Sequence, residues 1–208
     1  MSNVSMAAAP LRNEIFDANR AMGRITLAVA AGPNGSRPAR VHEAGSLRVR
    51  FPHGNGRVLD AVIVNTAGGM TGGDGFDVDI AAGPGAKLSV TTAAAEKIYR
   101  SLGPDTKIDV KLDVGPGGAL GWLPQETILF DRARSRRSIE VDVAADASLL
   151  LAEAVIFGRS AMGETVISGR FLDRWRVRVA GALVCAETIN LDGGIARRLA
   201  GRAAGAGG

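Results

Sequence analysis

One unit recurs along this chain and limits what it can fold into. An alternating strand enters a tight turn and leaves as an apolar strand bearing a glutamate. Four stretches carry it, beginning at Phe76, Lys107, Ser138 and Arg174. In the first, Phe76, Val78 and Ile80 alternate with Asp77 and Asp79. In the second, Ile108, Val110, Leu112 and Val114 alternate with charged residues. Ile139, Val141 and Val143 repeat the pattern, as do Trp175, Val177 and Val179 between arginines. A period of two sends one set inward and the other outward. Pro84 and Pro116 occupy the same place in two Gly-Pro-Gly turns, and Asp146 is aligned with them in the third. Such a unit buries its apolar face only by stacking on its neighbours. The expected fold is therefore all-β, a stacked β-helical sandwich of many short strands with few or no helices.

The outer faces differ in charge. Strands near Asp77 and Glu140 are acidic, and the strand over Arg174–Arg178 is basic, which suits pairing between neighbours. Upstream, Ser46–Phe51 and Arg57–Asn65 also read as strands, and Thr91–Ser101 is assigned to strand over helix. The reading is a disordered segment over 1–12, one β-rich domain over 13–196, and a loose Gly/Ala-rich tail over 197–208.

No apolar run approaches the ~18 residues of a membrane span, and no basic-then-apolar leader opens the chain. One cysteine, Cys185, excludes an intramolecular disulfide framework and fits a reducing, cytoplasmic setting. The net charge is +4. Its densest patch, Arg132, Arg134, Arg136 and Arg137, is expected in a loop between strands, where it would steer an acidic partner. No aromatic residue interrupts that run, which argues against nucleic acid.

The stretch Thr66–Gly75 (TAGGMTGGDG) has the glycines of a phosphate loop but no Gly-Lys-Ser/Thr ending. It reads instead as a loop needing positive φ or close backbone approach. His42, His53 and Cys185 have no structural-zinc spacing. Four glutamates, Glu96, Glu126, Glu153 and Glu187, each begin a segment with apolar alternate positions. Either they sit at wet strand ends or they line an internal polar path, because a carboxylate on an apolar face is costly unless paired or hydrated. A pair of them could also serve a carbohydrate hydrolase on a stacked β scaffold.

Four blocks in order, Asn65–Asp74, Lys87–Ser101, Leu123–Asp142 and Leu149–Glu164, closely resemble the urease accessory protein D family. The resemblance implies a non-enzymatic scaffold that binds apo-urease and the accessory proteins F and G, G being a GTPase, with E as nickel donor. It implies passage of Ni²⁺ through an internal tunnel on weak oxygen ligands, with no tightly bound cofactor, and no role for nucleic acid or membrane. Glu126, Asp142 and Glu153 are the acids assigned here to that path. Two loops are assigned to partner contact. One holds Gly68, Gly69, Gly72, Gly73 and Asp74; the other holds Gly158, Arg159, Gly163 and Glu164, with Arg159 and Glu164 able to pair. Asn65-Thr66-Ala67 stands where many members carry a His-Pro-Pro entry. Family members also usually continue further, so an uncovered sheet edge is expected here.

Overall fold

Three sheets wind around one apolar core in a computed structural model that describes residues 19–52 and 56–201. The segment over 1–12, His53 and the end of the tail lie outside the described residues. Strands β1 (Met22–Gly32) and β2 (Gly35–Gly45) form a hairpin, followed by β3 (Leu47–Arg50) and β4 (Leu59–Asn65). The first full coil is β5 (Gly75–Ala82), β6 (Lys87–Thr92) and β7 (Glu96–Ile98). The second is β8 (Thr106–Val114), β9 (Ala119–Trp122) and β10 (Thr127–Leu129). The third is β11 (Arg134–Val143), β12 (Ser148–Leu151) and β13 (Val155–Phe157). The chain closes with β14 (Gly169–Val179), β15 (Ala182–Gly193) and a short helix, α1 (Ile195–Leu199), with Ile195 buried. The helix runs into the segment read as a loose tail.

The large sheet has the order β15-β14-β11-β8-β5-β1-β2, with β5, β8, β11 and β14 parallel. The second sheet is β12-β9-β6-β4-β3 and the third β13-β10-β7. Stacking is in register. Val78, Val110, Ile139 and Trp175 form one inward ladder, and Ile80, Leu112, Val141 and Val177 the next. Leu88, Leu120 and Leu149 face them from the second sheet. The all-β stacked architecture read from the sequence is thus the observed one. The outward charges pair as expected across neighbouring strands: Arg174 meets Glu140 at 3.2 Å, and Arg24 meets Asp77 at 3.0 Å.

Each coil turns at the same place. The Ala86 N–H donates to the Gly83 carbonyl at 3.0 Å, and Gly118 to Gly115 at 2.9 Å, with Pro at the second turn position and positive-φ Gly at the third. Ala147 donates to Ala144 at 3.1 Å in the third coil. That register corrects the alignment of the third turn. Ala145 takes the proline's place, and Asp146 takes the place of Gly85 and Gly117.

The fourth copy does not complete a coil. Ala180 (φ 49°) and Gly181 (φ 81°) make a two-residue turn with both φ values positive, the geometry of a tight hairpin. The shorter turn therefore sends β15 back antiparallel along β14 instead of across to the second sheet. Glu187 consequently sits exposed on an edge strand. The β1–β2 hairpin was not anticipated. Its signals are the alternation of Ile25, Leu27 and Val29 and the Pro33-Asn34 turn between Gly32 and Gly35.

Ile139 is 0% exposed at the centre of the stack. Ile139→Ala should cost about 2–5 kcal/mol, read as a lower urea midpoint at unchanged m-value.

Candidate functional site

Asp74 organises the glycine loop. Only 5% exposed, it accepts the Thr71 N–H at 2.7 Å through Oδ2 and the Ala21 N–H at 2.9 Å through Oδ1. A carboxylate taking two backbone donors fixes the loop to the entry of β1. Gly69 (φ 146°) lies under the Tyr99 ring, and Gly72 faces the Ser101 hydroxyl and the Pro104 carbonyl, where a Cβ has no room. The stretch is a close-approach loop, as its sequence suggests, and it leads into a strand.

The loop lies at one end of a side-chain ladder that climbs the coil corners. The Tyr99 hydroxyl donates to the Gly68 carbonyl at 3.3 Å. Tyr99 and Phe130 hold the same position in successive coils and meet edge to face at 4.9 Å. In the next coil that position is Gly158, and the Arg159 guanidinium fills the space, 4.3 Å from the Phe130 ring centroid. Arg159 then pairs with Glu164 at 2.7 Å, and that bond holds the Glu164 carboxyl below the usual carboxylate range. Gly163 (φ 69°) closes the turn between them. The two loops singled out in the sequence therefore sit at the two ends of one ridge.

Behind the ridge, between the sheets, is a cavity of about 240 Å³. Its walls are largely apolar, including Leu47, Ile63, Phe76 and Val110, and it has room for several waters. Glu96 and Asn65 border it, and the Asn65 amide donates to both Glu96 oxygens at 3.0 and 3.2 Å. Burial raises the Glu96 carboxyl to about 7, against the lowering effect of that amide and helped by the Asp74 charge.

Arg137 and Glu153 also border the cavity, and there the core is ionic. The Arg137 guanidinium donates to both Asp173 oxygens, at 2.9 and 2.6 Å, and pairs with Glu153 through its other terminal nitrogen. Trp122 Nε1 donates to Glu153 Oε1 at 2.7 Å, and Trp175 Nε1 to Asp173 Oδ2 at 3.1 Å. One cation thus faces two carboxylates in a buried site. Burial opposes the charge on Arg137, but its bonds to Asp173 and Glu153 outweigh that and raise it above its ordinary value. The Glu153 carboxyl is raised by burial, with Arg137 and Trp122 working the other way.

Of the three acids assigned to an internal path, Glu153 alone borders the cavity. Asp142 alternates with the buried Val141 and Val143, so the strand period places it on the outer face, exposed, beside Asp113 of β8. Burial and the Asp142 and Asp79 charges raise Asp113. Glu126 is half-buried at the entry of β10, and its carbonyl accepts the Glu96 N–H at 2.9 Å. The arginine run is not a loop. Arg134–Val143 is a strand, and its alternation splits the patch. Arg132 sits in the preceding turn, Arg134 pairs with Asp105 at 2.9 Å, Arg136 is exposed, and Arg137 points into the core. Asp173, Trp122 and Trp175 were missed as site residues. The signal was present: the β14 alternation puts Asp173 between Phe171 and Trp175 on the apolar face, and the β11 alternation puts Arg137 beside Ile139.

Removing Arg137 leaves two buried carboxylates unmatched. Arg137→Ala should cost about 3–5 kcal/mol by urea titration, and Arg137→Met should cost nearly as much because the acids remain. For Glu96 the folded chain keeps a proton between its ordinary value, 4.5, and about 7 that the unfolded chain releases. Stability should therefore fall as pH rises through that window, by roughly 3 kcal/mol at most. Glu96→Gln should remove that slope from a plot of Tm against pH.

The sequence model of the family described as UreD urease accessory protein matches residues 21–208. Urease accessory protein UreD of Rhodopseudomonas palustris strain HaA2 is 61% identical over 181 residues, 87% of this chain and 65% of that protein. UreD of strain BisA53 is 59% identical over 186 residues, with 89% and 65% covered. UreD of Bradyrhizobium diazoefficiens is 52% identical over 196 residues, with 94% and 71% covered. The chain thus spans about 65% of the length of the two Rhodopseudomonas relatives. With the coil stack, the glycine loop and the corner ridge all inside the matched region, the chain belongs to the UreD urease accessory protein family.

Proposed function

We propose that this chain acts in urease maturation as a non-catalytic scaffold. It binds apo-urease together with accessory proteins F and G, receives nickel supplied through E, and works in the cytoplasm without nucleic acid or membrane. The observation that carries this reading is the family match, which spans the whole coil stack and both loops of the ridge. A rigid stack that presents loops along one edge suits a protein whose task is to hold others in place. Among the described residues no helix is long and apolar enough to cross a membrane.

Nickel is cargo in this scheme. The cavity between the sheets supports a transit role, with Glu96 as its carboxylate; Glu153 is committed to Arg137, and the Asn65 oxygen accepts the Ala67 N–H. Oxygen ligands hold such an ion weakly enough to release it. Glu126 and Asp142 would act only outside this cavity. The hydrolase alternative fits less well. Glu126 does not border the cavity that Glu153 lines, and Glu153 is occupied by Arg137 and Trp122.

The test is co-expression with apo-urease and accessory proteins E, F and G, with urease nickel content and activity read with and without this chain. The chain should raise both. Glu96→Gln should keep the fold, judged by Tm, and lower nickel content severalfold. Equal nickel loading with and without the chain would sink the scaffold reading. Full loading by the Glu96→Gln variant would sink the transit role alone.

A further inference from the structure

Arg132 is a misfit for its backbone. Its φ is 62°, a region that glycine enters freely and a Cβ-bearing residue enters at a cost in strain. The conformation is enforced by the neighbouring corners. The Arg132 N–H donates to the Ser168 carbonyl at 2.9 Å, and its own carbonyl accepts the Ser101 N–H at 3.0 Å. Those bonds need only the backbone. The side chain takes no part in them and stands 70% exposed.

Its surroundings are unusual for a solvated arginine. Leu102, next to Ser101, is 97% exposed, and Ile167, next to Ser168, is 67% exposed. Met162 of the adjoining loop is 73% exposed, and Tyr99 is also open to solvent. Arginine, tyrosine and methionine gathered around exposed aliphatic side chains are the composition of a protein interface centre.

Charge indicates what sits there. Along residues 99–105, 130–134 and 158–170 there are five arginines and three carboxylates. Asp105 already holds Arg134 and Arg170, and Glu164 holds Arg159. Asp131 accepts the Ile167 and Ser168 N–H groups at 2.8 and 3.1 Å and meets Arg132 only at 3.5 Å. The local acids are therefore committed, and the Arg132 guanidinium keeps donors facing out among apolar neighbours.

We propose that this corner ridge is a docking surface for a protein segment that sets a carboxylate between apolar side chains, with Arg132 as the anchor for the carboxylate. Leu102, Met162 and Ile167 receive the flanking groups. The inference rests on the scaffold reading and assigns one of its contacts.

The strain makes a test that a purely structural role fails. Arg132→Gly relieves the backbone and should raise Tm by about 2–4 °C. The same substitution should weaken binding about tenfold to either separately purified apo-urease or accessory protein F, measured by biolayer interferometry. Met162→Asp should weaken the same complex without lowering Tm. Added salt should weaken the unchanged chain more than Arg132→Gly. If both variants bind both proteins as the unchanged chain does, the ridge is not the docking surface and the scaffold reading stands. If the unchanged chain binds neither protein, both readings fall. Binding of an RNA oligomer instead, lost in Arg132→Gly, would also overturn the inference.

Discussion

Everything in this structure depends on one coil covering the next. No single strand–turn–strand unit here has enough apolar surface to stand alone. The inward ladders through Val78, Val110 and Ile139, and through Ile80, Leu112 and Val141, are buried only because successive coils stack in parallel register. That constraint explains the turns, which must keep equal geometry from coil to coil. It also explains why a hairpin at Ala180-Gly181 ends the pattern. Once β15 returns along β14, no later strand among the described residues extends the second or third sheet.

The same constraint gives polar exceptions their meaning. A parallel stack gives its interior little water, so an inward charge needs a partner on a neighbouring strand. Arg137 finds Asp173 one strand over and Glu153 at the opposite wall. Three coil segments are thereby tied at one point beside the cavity. Such an ion cluster contributes less net stability than apolar packing would, yet losing one member is costly. The cluster stands at the cavity wall, and Glu96, which also borders that space, is the carboxylate that the nickel-transit proposal uses. On the outside, the stack lines up corners from separate coils. Gly69, Tyr99, Phe130 and Arg159 come from distant sequence positions and become one ridge.

Much of this was legible in the sequence, and the failures have physical causes. Period two gave the long entry strand of each coil and the pairing of outer charges, because burial enforces alternation, but the exit run read as one strand divides between the second and third sheets. The glycine loop was legible because no other residue fits at Gly69 or Gly72. Asp146 was misaligned by one residue because a proline cue outweighed strand register. The fourth copy misled because its strand is genuine and only its turn differs. Asp142 was assigned inward although its own neighbours, Val141 and Val143, require it outward. The Arg137–Asp173–Glu153 cluster is long-range, and a single sequence shows only that each residue lies on an apolar face. The ridge was visible as two loops, but their connection through Tyr99 and Phe130 required the coil stacking itself.

The central claim is that the stack exists to present the corner ridge to the proteins of urease maturation. Hydrogen–deuterium exchange on the chain, free and in complex with apo-urease and accessory protein F, tests it most directly. The account predicts new protection concentrated in residues 66–75, 99–104, 130–134 and 158–168. Protection confined to the outer face of β8, β11 and β14, with those corners exchanging as in the free chain, would contradict it.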